Sequence, residues 1–178
     1  MKKFIIIGVL AVAAFLVYYT QIYIIFFEDM VMEDIPVNEE MIGMPEKTGE
    51  PQPGENQATT TPAPQIQTIR EGRFVDADFF HKGSGKAIVL DYPDGRKILR
   101  FEDFDIINGP ALYVYFSEST SPASNIDSLG DFIDLGPLKG NKGNQNYDLP
   151  SDIDLNKYKT VVIWCKEFGV LFPYAVLN

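Results

Sequence analysis

The chain has 178 residues, a mass of 20.0 kDa, a formal charge of -10 and a pI near 4.5. That length allows one ordinary domain plus appendages, and that charge repels polyphosphates, so nucleic acid is excluded as a partner. A single cysteine, Cys165, and a single histidine, His81, exclude an internal disulfide, a Cys-x-x-Cys zinc or dithiol motif and a multi-histidine metal site.

After Lys2 and Lys3, residues 4–27 run without a charge, interrupted only by Gly8, Thr20 and Gln21. At 1.5 Å per residue these roughly 24 residues reach about 36 Å, enough to cross a hydrocarbon core of about 30 Å. Residues 1–27 are therefore expected to form an N-terminal transmembrane anchor. The lysines before the run and Glu28, Asp29, Glu33 and Asp34 after it place the N-terminus in the cytoplasm and the remainder outside the cell membrane. Tyr18, Tyr19 and Tyr23 suit the outer interface. A cleaved signal peptide is the alternative, with residues 4–10 as its apolar core and Ala11-Val12-Ala13 as its cleavage site. The apolar run continues for about 14 residues beyond Ala13, which favours a retained anchor.

Residues 28–69 change in composition. Up to Gln67 they hold six of the twelve prolines and nine acids against one base, Lys47. Such a segment buries too little apolar surface to offset its chain entropy. The expectation is a disordered acidic stalk, a spacer with an end-to-end distance on the order of 35 Å. It holds most of the acidity, since sixteen acids and twelve bases follow residue 69.

Residues 70–178 show short apolar or alternating runs at 73–80, 86–92, 96–101, 111–117, 131–135, 145–149, 158–165 and 170–177. Period-2 alternation, β-branched and aromatic residues and Gly or Pro punctuation predict an all-β domain of about eight short strands, a compact β-sandwich or barrel. Lys82-Gly83-Ser84-Gly85 and Pro93-Asp94-Gly95 read as turns between the first runs. Ser151-Asp152-Ile153-Asp154 reads as the one helical turn. In Thr160-Val161-Val162-Ile163-Trp164-Cys165 both strand faces are apolar, which predicts a strand covered on both sides, and the last two runs are expected at the centre of a sheet.

Leu135-Gly136-Pro137-Leu138-Lys139-Gly140, continuing to Pro150, together with Val161-Val162-Ile163-Trp164-Cys165 and Phe168-x-Val170-x-Phe172, resembles the DM13 domain family. Gly72-x-Phe74, His81-x-x-Ser84-Gly85, Phe104 and Gly109-Pro110 are similar to earlier parts of the same pattern, so the resemblance spans about residues 70–178. It implies an extracellular or periplasmic module, in some proteins beside cytochrome-like DOMON domains, with electron-transfer or redox chemistry at the cysteine of the Trp-Cys pair. That residue is Cys165. No haem-binding domain accompanies it in this sequence.

Cys165 is thus the candidate redox thiol, oxidised reversibly to sulfenic acid or to a mixed disulfide. The competing reading is a buried cysteine that packs as a small hydrophobe. Lys166 is adjacent but points to the other strand face, which makes it a poor activator. His81 is a candidate proton shuttle or partner for Cys165, against a plain surface or capping role. Asp76 and Asp78 alternate away from it on a strand. Asp152-x-Asp154-x-Asn156 imitates the start of a calcium loop, but Lys157 and Ile163 stand where glycine and glutamate are needed. Tyr113, Tyr115 and Phe116 offer an aromatic platform or, more commonly, core.

No complete catalytic constellation is visible, and no cofactor or metal is expected. The reading that results is a redox or electron-transfer accessory acting through one cysteine. Its alternative is a non-catalytic binding or structural module of the cell envelope. The expected partners are the membrane, through the N-terminal helix, and a redox or envelope protein.

Overall fold

The computed structural model describes residues 29–37 and 65–178, together with Val12, Ala14, Phe15, Leu16 and Tyr18, which are helical and exposed. Most of the expected transmembrane span and most of the acidic stalk lie outside the described residues. Among the described residues no helix is long and apolar enough to cross a membrane.

Among the described residues nine strands form two sheets: β1 (Met30–Met32), β2 (Gln67–Arg73), β3 (Gly83–Asp91), β4 (Lys97–Ile106), β5 (Leu112–Ser117), β6 (Phe132–Pro137), β7 (Lys142–Leu149), β8 (Thr160–Cys165) and β9 (Val170–Val176). The first sheet has the order β1-β7-β4-β3-β2 and the second β6-β5-β8-β9. All pairings are antiparallel except β1 with β7. The sandwich closes along one side, where β2 meets β9: Val75 bridges Tyr174, and Glu71 and Asn178 exchange backbone hydrogen bonds of 3.3 and 2.9 Å.

The core lies between the sheets, where Val89, Leu99, Phe101, Phe104, Val114, Phe116, Val161 and Ile163 are buried. Each fully buried phenylalanine contributes roughly 2–3 kcal/mol by removing its ring from water. Strands with two apolar faces occur because each sheet also carries a small cluster on its outer side. Ile88, Leu90, Tyr92 and Ile98 cover the first sheet, and Tyr115, Leu129, Val162, Trp164 and Leu171 cover the second. The double-sided reading of β8 therefore holds: Val161, Ile163 and Cys165 face the core, and Val162 and Trp164 face the outer cluster.

Several expectations need correction. β9 is an edge strand, and only β8 is central. The run at 73–80 is not a strand beyond Arg73; β2 lies earlier, and residues 74–82 form an irregular connection. Gly83 and Gly85 belong to β3 rather than to a turn. Ser151–Asp154 makes turns only, and the helical turn is a 3₁₀ segment at Ile126–Leu129, capped by the Asn125 side chain accepting from Asp127 N. The Pro93-Asp94-Gly95 hairpin turn is present, with Tyr92 N donating to Arg96 O at 2.9 Å.

The largest departure is in the acidic segment, since residues 29–37 lie along the edge of β7. Met30, Val31 and Met32 pair with Lys142, Gly143 and Asn144. The Glu33 carboxylate accepts from Lys139 Nζ at 2.7 Å and from Asn146 N at 2.7 Å, while Arg100 Nη1 donates to Glu33 O at 3.0 Å and Asn146 Nδ2 to Asp34 O at 2.8 Å. Burial opposes ionisation of Glu33, but the Lys139 and Asn146 hydrogen bonds and the Lys139 and Arg100 charges hold its pKa below the usual value. Specific partners thus order a stretch that composition assigns to disorder.

Candidate functional site around Cys165

Cys165 ends β8, paired with Leu112 of β5 on one side and Val170 of β9 on the other. It is 1% exposed. Its Sγ donates to the Pro110 carbonyl at 3.1 Å.

The connection from β4 to β5, residues 107–111, forms the cover. Lys166 N donates to Ala111 O at 3.0 Å, which ties this connection to the residue following the thiol. Ala111 holds φ at 49°, a left-handed conformation that costs a residue with a Cβ about 1–2 kcal/mol. Gly109 is required by close approach, since a Cβ there would lie 2.8 Å from Phe172 Cζ. A cleft of about 320 Å³ opens on the outer side of this cover, lined by residues 108–113 and 137–141 and by Asp29. A wider depression of about 600 Å³, lined by Glu118, Asp127 and Lys157 among others, is built from the β5–β6 and β7–β8 connections and lies away from the thiol.

His81 packs its ring on Phe172 at 4.5 Å between centroids, and its Nδ1 is 2.7 Å from Asp78 Oδ2. Among the described residues no hydrogen bond joins it to Cys165. Asp78 was expected on a strand face opposite His81. In the irregular connection it instead accepts from Phe80 N, His81 N and the His81 ring, and these contacts with His81 lower its pKa to about 2.

Lys166 turns away from the thiol, as the strand alternation requires. Its Nζ bonds Asp134 Oδ2 at 2.7 Å and sits 3.5 Å from the Tyr113 ring centroid. Tyr113 and Tyr115 share the outer face of the second sheet, where Tyr115 stacks on Phe132 at 4.5 Å and is buried. Phe116 is wholly in the core. The aromatic face is therefore covered rather than presented. Asp154 Oδ1 accepts from the backbone of Asn156 and Lys157, so the calcium-like triplet serves its own turn.

Sequence reasoning did not single out Pro110 as the thiol's acceptor or Ala111 as a left-handed residue. Gly109-Pro110 between two apolar runs carries a turn signal, but nothing local reveals which carbonyl meets the thiol. It also missed a buried network at the mouth of the cleft: Gln145 Nε2 donates to Gly140 O at 2.6 Å, and the Tyr147 hydroxyl donates to Gln145 Oε1 at 2.7 Å.

Two sheets, antiparallel apart from the β1–β7 pair, with one covered thiol at the loop end define a small all-β sandwich domain with a sulfur-centred candidate site. The family model described as Electron transfer DM13 matches residues 73–177, well over half of the chain. The protein belongs to the DM13 family. No curated protein and no solved structure matches it.

Proposed function

We propose that the chain is a membrane-anchored, extracytoplasmic electron-transfer accessory whose redox group is the Cys165 thiol. The family match over residues 73–177 supports a redox role. One observation carries the choice of residue. Cysteine and methionine are the side chains that undergo reversible two-electron oxidation, all five methionines precede residue 45, and Cys165 is the one sulfur in the matched span.

The chemistry needs a local opening of residues 107–111 that breaks the bond from Sγ to Pro110 O. The freed thiol loses its proton, and the thiolate attacks one oxygen of a peroxide. An S–O bond forms, the O–O bond breaks, sulfur gives up two electrons, and water leaves after proton uptake. The resulting sulfenic acid condenses with a partner thiol, forming S–S and releasing water. A second external thiol then regenerates Cys165. The chain holds no resolving cysteine of its own, so the second thiol must come from a partner.

The test is the alkylation rate of the full chain in detergent or vesicles across about pH 6–10. Measurable labelling in the folded state, reversible sulfenic acid formation with mild peroxide, and loss of both in Cys165→Ser are expected. The burial of Cys165 favours a second reading, a non-catalytic binding or structural module in which the thiol is core packing. Inertness of the folded chain until denaturant is added would select that reading. The topology is tested separately, by protease treatment of spheroplasts, which should trim the domain from outside. Its full protection would refute the extracytoplasmic placement.

A further inference from the structure

Four connections lie at one end of the sandwich: 74–82 between β2 and β3, 107–111 between β4 and β5, 138–141 between β6 and β7, and 166–169 between β8 and β9. The N-terminal segment enters at this same end. Asp29 N donates to Asn141 Oδ1 at 2.7 Å, Asn141 Nδ2 donates to Ile106 O at 3.0 Å, and Ile107 N donates to Lys82 O at 3.4 Å. Asp29 is thus tied in three bonds to the connection that carries Phe79 and Phe80.

The exposed apolar side chains are distributed unevenly. Phe79, Phe80, Phe168 and Ile107 are 78, 74, 69 and 52% exposed, all on connections of this end. Among the described residues from 65 to 178, Ile126 on the β5–β6 connection is the one exposed large apolar side chain outside this end and its neighbour Val75; in the N-terminal segment Met30, Met32, Ile35 and Val37 are exposed as well. The phenylalanines are held outward by a built turn. Asp78 Oδ1 accepts from Phe80 N at 2.7 Å and His81 N at 2.8 Å, and Asp76 Oδ1 accepts from Gly83 N at 2.9 Å. The two rings meet edge to face at 5.3 Å, and Lys82 Nζ sits 5.1 Å from the Phe79 centroid.

Chain length supplies the occupant. The apolar run at 4–27 ends two Cα steps before Asp29, at most about 7 Å away whatever path the chain takes. We propose that this end is a lipid-facing surface: Phe79, Phe80, Ile107 and Phe168 enter the outer interface of the bilayer that residues 4–27 span, with the Lys82 ammonium at headgroup level. The proposal rests on the anchor reading given above. Aromatic side chains with an adjacent lysine match the interfacial zone, where the ring is buried and the cation reaches water and phosphate. The end also carries Lys139, Lys142 and Lys166 beside Asp29, Asp76, Asp78, Asp105 and Glu167, so the adhesion is apolar rather than an attraction to anionic lipid.

The test uses the full chain reconstituted in phosphatidylcholine vesicles. Phe80→Trp is compared with Asp152→Trp, on the exposed β7–β8 connection, and both with the parent chain, whose emission comes from Trp164. Brominated lipid should quench the added emission of Phe80→Trp at least about twofold more than that of Asp152→Trp, with little change between low and high salt. Unchanged thermal melts establish that both variants fold. Flotation with the vesicles after carbonate washing reports the anchor independently. A chain that floats but shows equal quenching at the two positions overturns the lipid-facing surface alone. A chain that no longer floats overturns the anchor and the surface with it.

Discussion

The loops at the two ends of the sandwich satisfy their backbones by different means. Away from the thiol, short polar side chains close tight turns. Asp94 Oδ1 accepts from Arg96 N, Ser117 Oγ donates to Leu129 O, Asn125 caps the 3₁₀ turn, and Asp154 caps Asn156. At the other end Asp76 and Asp78 do similar work, but the connections they brace carry Phe79, Phe80, Ile107 and Phe168 outward and lay Pro110 over Cys165. Turn chemistry alone makes a stable loop. What marks the second end is apolar surface and a covered thiol that turn formation does not require.

The contrast breaks most visibly through the core. Phe172→Ala and Leu129→Ala each remove a buried side chain, beneath opposite kinds of loop, and should cost about 3–5 and 2–5 kcal/mol in urea melts. Only Phe172→Ala, which removes the ring packed on Gly109 and His81, should raise Cys165 alkylation well below the unfolding midpoint. Equal reactivity in both would dissolve the distinction between the ends.

Gly143→Ala probes the strand that enters at the thiol end. Gly143 has φ of 96°, and a Cβ there would lie 1.9 Å from Val31 O. A loss of about 2–3 kcal/mol is expected, together with fast amide exchange at Met30–Met32. Retained protection of those amides would show that β1 is held by something other than β7. Ala111→Gly relieves a left-handed residue and should stabilise by up to about 1 kcal/mol while slowing thiol labelling, because the cover no longer gains from opening. A destabilised variant would refute strain at this position.

Glu33→Gln should cost about 0.5–1 kcal/mol, a partly exposed contact with Lys139. Because the folded-state pKa of Glu33 is depressed, its contribution is present above the ordinary glutamate range and fades as pH falls through the folded value. The parent should lose β1 protection on acidification, and the variant should show a flatter profile. The smallest effect is local. Asp78, with its pKa lowered from 3.8 to about 2, supports the Phe80–His81 turn above about pH 3.8 and loses that role as pH falls through about 2. Asp78→Asn should remove this acid transition from Phe80 and His81 amide exchange and leave the global melt unchanged.

Strands β3 to β9 are legible because each carries apolar side chains to a core or an outer cluster. β8, written Thr160-Val161-Val162-Ile163-Trp164-Cys165, announces both. β2, written Gln67-Thr68-Ile69-Arg70-Glu71-Gly72-Arg73, is an edge strand with largely exposed side chains, so the apolar signal shifted the reading onto residues 73–80. β1 is three residues among acids, and its partners, Lys139, Asn141, Asn146 and Arg100, lie more than sixty residues away. Hydropathy does not record such pairing. The thiol's position at the end of a covered strand was readable, but its contact with Pro110 depends on a loop whose path no local pattern specifies.

The parallel seam between β1 and β7 also has a mechanical meaning. A pull on the chain ahead of Asp29 loads that seam along the strand direction, so the backbone hydrogen bonds around Glu33 and Lys142 and the Glu33–Lys139 contact share the force. The bonds of the seam lie side by side across the pull, so they yield together rather than one by one, which makes the seam a force-limiting clasp between the N-terminal segment and the sandwich.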